Sequence, residues 1–353
     1  MAFLKIDNVA IKGISACVPP KVEENTDIPF YTSDEVTKVI ESTGVERKHI
    51  VSDGITGSDL CLKATEKLLE QLGWEKESID AIVYVTQTPD FTSPPTVFVM
   101  HDNLELSNDC LAIDLNHGCP GWVVGLATLA SLMSHGTIKR ALLLDGDNIT
   151  SSQYPLDRES RPLFGDCGTA TALEYNELSS PLLFHIGTNS KDGVSLIRRK
   201  GAYRQPHTVE TYKRELGMLS GELPVEETDD TMDGMSVFSF GITMPPKSMK
   251  QLCEAFELDV ANIDKLLIHQ ANQFMINKIA KKMKMDFQKV PSSLRDFGNT
   301  TSASIPLTLV SQCNQEYSNG KMKSLACGFG TGLSWASVFF ETDKIVCPDV
   351  VIY

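Results

Sequence analysis

Long apolar runs are absent from this sequence. No stretch of its 353 residues approaches the roughly 18 consecutive apolar residues that a membrane-spanning helix needs, so no helical span is expected. The opening MAFLKIDNVAIKGISACVPP alternates apolar and polar residues as a strand does and lacks the unbroken apolar core of a secretion signal. An excess of positive charge is also missing: 32 Lys and Arg stand against 46 Asp and Glu, a formal net charge of -14. A surface of that sign repels phosphate backbones and anionic lipid, so neither nucleic acid nor membrane is an expected partner. The nine cysteines form no CxxC pair and no zinc-spaced Cys/His pattern, and their odd count does not suit a disulfide framework. They suggest a reducing compartment, and the cytoplasm is the expected location.

What is present is a chain with 42% apolar residues, enough for large buried cores. Strand patterns alternate with helical ones, which favours a layered α/β fold. The pattern predicts a helix at 57–73, strands at 81–88, 110–115 and 140–147, and between the last two a helix that opens at Pro120 and closes on Gly136. That helix is apolar all round and must be buried on every side. Helices near 245–257, 271–284 and 303–316 and strands at 264–269, 324–329 and 334–341 repeat the theme. Two similar halves, 1–177 and 178–353, are the expected organisation. The polar stretch 187–235, with an RRK run and the acidic VEETDDTMD, reads as a solvated excursion or as a lid over the substrate.

Four elements stand at element boundaries where chemistry is placed. Cys119, in LNHGCPGW, sits between a strand and the apolar helix. The positive end of that helix would lower the thiol pKa and favour a nucleophile, although buried cysteines are more often packing. His269 follows the strand KLLI, at the carboxyl end where open α/β sheets place ligands, although a core histidine is the plainer reading. Asn299, in FGNTTSASIPLTL, is by itself a cap or turn residue. CGFGTGLSWAS at 327–337 offers glycines that let the backbone approach a ligand and present N–H groups to an oxyanion.

Together with STGVERKHI at 42–50, DRESRPLFGDCGTATAL at 157–173, HQAN at 269–272, AKKM at 280–283 and GNTTSASIP at 298–306, these elements make nearly the whole chain resemble the ketoacyl-acyl-carrier-protein synthases of type III, condensing enzymes of the thiolase superfamily. The resemblance implies a thiolase-like five-layered α/β/α/β/α duplication, a homodimer, and a Cys-His-Asn triad of Cys119, His269 and Asn299. It implies transfer of an acyl group from an acyl-coenzyme A to Cys119, with the oxyanion held by the N–H groups of Cys119 and Thr331. Decarboxylative condensation with malonyl-acyl carrier protein follows, with no metal or redox cofactor. It further places Arg158, Asn272, Phe329 and Gly330 beside the substrate, and Lys281 and Lys282 in a basic patch that docks the acidic carrier. An ordinary solvated helix face is the other reading of those two lysines.

The match departs from the family at three places. Val36 stands for a tryptophan that stacks on adenine, Phe274 for an arginine after HQAN, and Thr331 for a glycine. These point toward a specialised acyl chain. Cys327 and Cys167 read as packing, and His117 either faces away or lines the entrance. A family member that passes the acyl group to an oxygen or nitrogen acceptor, a Cys-His-Asn thiol hydrolase and a noncatalytic partner subunit are the competing readings.

Overall fold

In the computed structural model, which describes residues 2–199, 201–222 and 231–353, two mixed sheets stack with helices between them and on both outer faces. The first sheet runs Val351–Ile352, Val9–Val18, Cys167–Tyr175, Arg140–Asp147, Ala81–Val85, Leu111–Leu115. The second runs Ala2–Ile6, Leu182–Thr188, Ser334–Asp343, Lys321–Gly330, Lys265–Ile268.

The apolar patterns dictate the layers. Helix Gly121–Met133 has no polar face, and it lies with Ser304–Asn319 between the two sheets, sharing one core with the inner faces of both. Gly57–Leu72 and Thr96–Asn103 cover the outer face of the first sheet. Gly234–Ala255 and Gln273–Met283 cover that of the second. This is the five-layered α/β/α/β/α arrangement. Local signals set the ends: Thr56 and Asp59 form a capping box at the start of Gly57–Leu72, and Gly73 closes it at φ 63°.

Three features differ from the sequence reading. The chain passes from the first sheet to the second between Tyr175 and Leu182, close to the expected division, yet the termini cross over. Ala2–Ile6 pairs with Leu182–Thr188 in the second sheet, and Val351–Ile352 pairs with Val9–Val18 in the first. The helix expected from 245 begins at Gly234, capped by the Asp233 carboxylate, and runs through Pro245 and Pro246. Proline removes the hydrogen bond to the carbonyl four residues back. The Ile242 carbonyl freed in this way accepts from Lys282 Nζ at 2.8 Å, and both proline rings are buried.

The 187–235 stretch holds more structure than a solvated loop. Helix Val209–Leu219, capped by Thr208, lies within it, and Leu196–Ile197 pairs with Thr231–Met232. The helix leaves Val209, Tyr212 and Leu216 exposed. Of the acidic run, residues 225–230 lie outside the described residues, as does Lys200 of the RRK run.

Candidate active site

Cys119 lies on the turn between strand Leu111–Leu115 and helix Gly121–Met133, with Pro120 as the residue preceding the helix. The turn is pinned against the end of strand Lys321–Gly330. A side chain at Gly118 would stand 2.7 Å from Gln87 Oε1 and 3.1 Å from Thr331 Oγ1, and one at Gly330 would stand 2.9 Å from Cys119 Sγ. A side chain at either position would have to displace these groups, Gln87 at the first and the thiol itself at the second.

The N–H groups of Cys119 and Thr331 favour the sulfur's ionised form, yet burial pushes the thiol up to about 12, with the Asp147 charge adding to the rise. The lowered pKa expected from the helix end does not survive. Desolvation outweighs a helix terminus worth about 0.3–1 kcal/mol, and an anion lies nearby.

His269 follows Lys265–Ile268, and its N–H donates to the Cys327 carbonyl at 3.0 Å, which extends the strand pairing by one residue. The ring is buried, with Nδ1 2.7 Å from Ser304 Oγ and its edge against Phe329 at 5.4 Å between centroids. Burial depresses its pKa to about 3, and hydrogen bonding to the Thr301 backbone opposes the shift. The imidazole is neutral.

Asn299 is held on both sides of its backbone. Its N–H donates to the Leu163 carbonyl at 2.8 Å, and its carbonyl accepts from Gly165 at 3.1 Å. Its Oδ1 accepts the Thr301 N–H at 3.0 Å, which leaves the amide NH2 to donate elsewhere.

The three residues converge on one place. Cys119 touches the Gly330 turn, His269 packs on Phe329 beside it, and Thr301 joins His269 to Asn299. Around them His117 Nδ1, Thr300 Oγ1 and Ser302 Oγ are buried with no partner among the described residues.

Of the other expected residues, Phe329 is buried against the His269 ring. Asn272 caps helix Gln273–Met283, its Oδ1 accepting from Met275 N–H at 2.8 Å. Arg158 lies near the start of helix Ser33–Thr43, paired with Glu35 at 2.8 Å and stacked over Tyr31 at 4.6 Å. Val36 is buried in that helix, so it offers no stacking face. Phe274 is exposed and packs on Phe238 at 5.7 Å, with Lys278 over its ring. Lys281 and Lys282 end helix Gln273–Met283, where Lys282 is engaged with Ile242. Cys327 is buried, accepts from Ser337 Oγ at 3.3 Å, and has its thiol pushed up to about 12 by burial; Cys167 is likewise buried in the core. Both are packing residues.

Asp147, Thr301 and Ser304 escaped the sequence reading. The one signal available was a carboxylate ending the apolar strand Arg140–Asp147.

Two layered sheets with a half-buried cysteine and a buried histidine and asparagine between them define a thiolase-like enzyme that moves acyl groups. Residues 113–190 match the family model for 3-oxoacyl-[acyl-carrier-protein] synthase III, and residues 253–342 match the model for its C-terminal part. A β-ketoacyl-[acyl-carrier-protein] synthase III of Streptococcus agalactiae is 30% identical, covering 97% of this chain and 100% of that protein. A putative 3-oxoacyl-[acyl-carrier-protein] synthase 3 of Campylobacter jejuni is 29% identical, over 99% of this chain and 98% of that protein. The crystal structure of a 3-oxoacyl-(acyl-carrier protein) synthase from Burkholderia xenovorans LB400 superposes with a TM-score of 0.91 at 33% identity, covering 100% of this chain and 99% of that one. The chain belongs to the 3-oxoacyl-[acyl-carrier-protein] synthase III family. Among the described residues no helix is long and apolar enough to cross a membrane.

Proposed function

We propose that this enzyme takes an acyl group from an acyl-coenzyme A onto Cys119 and condenses it with a malonyl thioester on acyl carrier protein, releasing carbon dioxide. The chain of contacts from Cys119 at Gly330, through Phe329 to His269 and through Thr301 to Asn299, is the observation that carries this reading.

In the first half, Cys119 sulfur attacks the thioester carbonyl, coenzyme A leaves as the thiol, and the oxyanion passes between the N–H groups of Cys119 and Thr331. In the second half, the malonyl carboxylate departs as carbon dioxide and its bonding pair moves into an enolate. In the tautomer whose Nδ1 accepts from Ser304, a neutral His269 has Nε2–H to donate to the enolate oxygen, and the Asn299 NH2 supplies the second hydrogen bond. The enolate carbon then attacks the acyl-cysteine carbonyl, and the Cys119 thiolate leaves. These steps require no metal or redox cofactor.

Phe329, Gly330, Asn272 and Arg158 would line the path of the coenzyme A arm. Arg158 already stacks on Tyr31, which supports a nucleotide contact built on that pair in place of the missing tryptophan. Lys281 would dock the acidic carrier, with Lys282 contributing beside its bond to Ile242. The edge strand Leu111–Leu115 has one neighbour in its sheet, and exposed Leu111 and Phe98 lie along it, which supports a homodimer formed across that edge. Nine free thiols support a cytoplasmic location.

Intact mass after incubation with a panel of acyl-coenzyme A donors tests the reading. An adduct that needs Cys119 and is discharged by malonyl carrier protein as a ketoacyl product is the expected outcome. An adduct that malonyl carrier protein leaves untouched would point instead to an oxygen or nitrogen acceptor, and no adduct from any donor would contradict the reading.

A further inference from the structure

Asp147 ends the strand Arg140–Asp147 and is buried, with 2% of its surface exposed. Every hydrogen bond its carboxylate makes among the described residues is accepted from a donor. Its Oδ1 accepts from Gln87 N–H at 2.7 Å, Thr86 Oγ1 at 2.9 Å, Thr88 Oγ1 at 3.1 Å and Thr88 N–H at 3.2 Å, and its Oδ2 accepts from Thr301 Oγ1. Five donors and no acceptor match an ionised carboxylate. Burial raises its pKa above the ordinary carboxylate value, and those donors hold back part of the rise.

Thr301 occupies the centre of the decarboxylating side. Its N–H holds Asn299 Oδ1 and its backbone contacts His269, and its φ of 50° is one that a β-branched residue rarely adopts unaided. The hydroxyl bond to Asp147 crosses from the second half of the chain to the first. Through Gln87 the same carboxylate fixes the residue that abuts Gly118, next to the nucleophile.

We propose that Asp147 is a positioning residue that holds Thr301, and through it His269 and Asn299, in register with the Cys119 turn. It acts on two elements at once. As a tether it sets the enolate donors, and as an anion joined through Gln87 to the turn at Gly118, one residue before the thiol, it disfavours the thiolate. The groups that feel its charge, Asp145, Asp166, Cys61, Tyr84 and Cys119, are all acids. The tether rests on the decarboxylation proposed above; the effect on the thiol does not.

The test compares Asp147→Asn, Thr301→Val and Thr301→Ser with the wild type. The pH dependence of Cys119 alkylation by iodoacetamide is read by intact mass, and carbon dioxide release from malonyl carrier protein is read separately from acyl-adduct formation. Asp147→Asn should move the alkylation midpoint to lower pH. Thr301→Val, which keeps shape and charge, should leave that midpoint in place and slow carbon dioxide release by about ten- to a hundredfold while acylation persists, because misplaced donors cost rate in that range. Thr301→Ser should restore it. An unmoved midpoint in Asp147→Asn together with equal losses of both half-reactions in Thr301→Val would overturn the proposal. If Asp147→Asn does not fold, the Thr301 pair decides. A wild type that releases no carbon dioxide would overturn the proposed function, and the alkylation midpoint would still decide the role of Asp147.

Discussion

Desolvation acts in opposite directions on the half of the site that carries the nucleophile and on the half that faces it. On the first half it raises the Cys119 thiol to about 12, helped by Asp147. On the second it lowers His269 to about 3. A resting thiolate–imidazolium pair would require the ring to hold the proton more tightly than the sulfur, and here the order is reversed by a wide margin. The comparison teaches that the cysteine and the histidine are both assembled uncharged. In the proposed reaction charge develops only as the steps proceed, where the N–H groups of Cys119 and Thr331 or the donors of His269 and Asn299 would meet it. The second half is thus built to donate hydrogen bonds and not to take the thiol proton at rest.

Removing one half should leave the other at work. Cys119→Ala should lower acyl-adduct formation by at least about a thousandfold, read by intact mass, since no other group can form the intermediate. His269→Ala or Asn299→Ala should leave the adduct intact and slow release of carbon dioxide by about a hundredfold or more, the cost typical of losing a buried oxyanion donor. Gly330→Ala attacks the seam between the halves. Its new Cβ would lie 2.9 Å from Cys119 Sγ, so the sulfur must move, and acylation should fall by about ten- to a hundredfold with thermal stability nearly unchanged.

A pH series sharpens the comparison further. With His269 lowered to about 3, carbon dioxide release should stay flat as pH falls through about 6.5, where an ordinary histidine would titrate. Stability should behave differently. Below the unfolded value the unfolded chain binds the His269 proton and the folded one does not, so His269 destabilises the fold progressively from about 6.5 downward, which a denaturant series at several pH values would measure. The smallest effect is expected far from the seam, where Lys281→Glu should raise the apparent KM for the carrier substrate by about three- to tenfold and leave acylation from coenzyme A unchanged.

The layers were legible because apolar periodicity reports burial directly, as in the all-apolar Gly121–Met133 and its place between the sheets. The placement of Cys119, His269 and Asn299 at element boundaries was legible because a strand, turn and helix junction is a local pattern. Asp147 and Thr301 were not. They are 154 positions apart, and neither has a local pattern that signals the bond between them. Pro245 and Pro246 hid the first half of a long helix because the compensating donor, Lys282, comes from another element. The exchange of the terminal strands is a choice of partner, and the strand patterns alone do not specify partners. The direction of the Cys119 shift was missed for a related reason, since a helix terminus can be read from sequence while burial and a distant carboxylate cannot.

The claim that the two halves act separately is tested most directly by carbon dioxide release from malonyl carrier protein in Cys119→Ala. The donors His269 and Asn299 remain in that variant, and the account predicts continued decarboxylation without condensation. Loss of carbon dioxide release along with the thiol, in a variant shown to be folded and to bind the carrier, would contradict it.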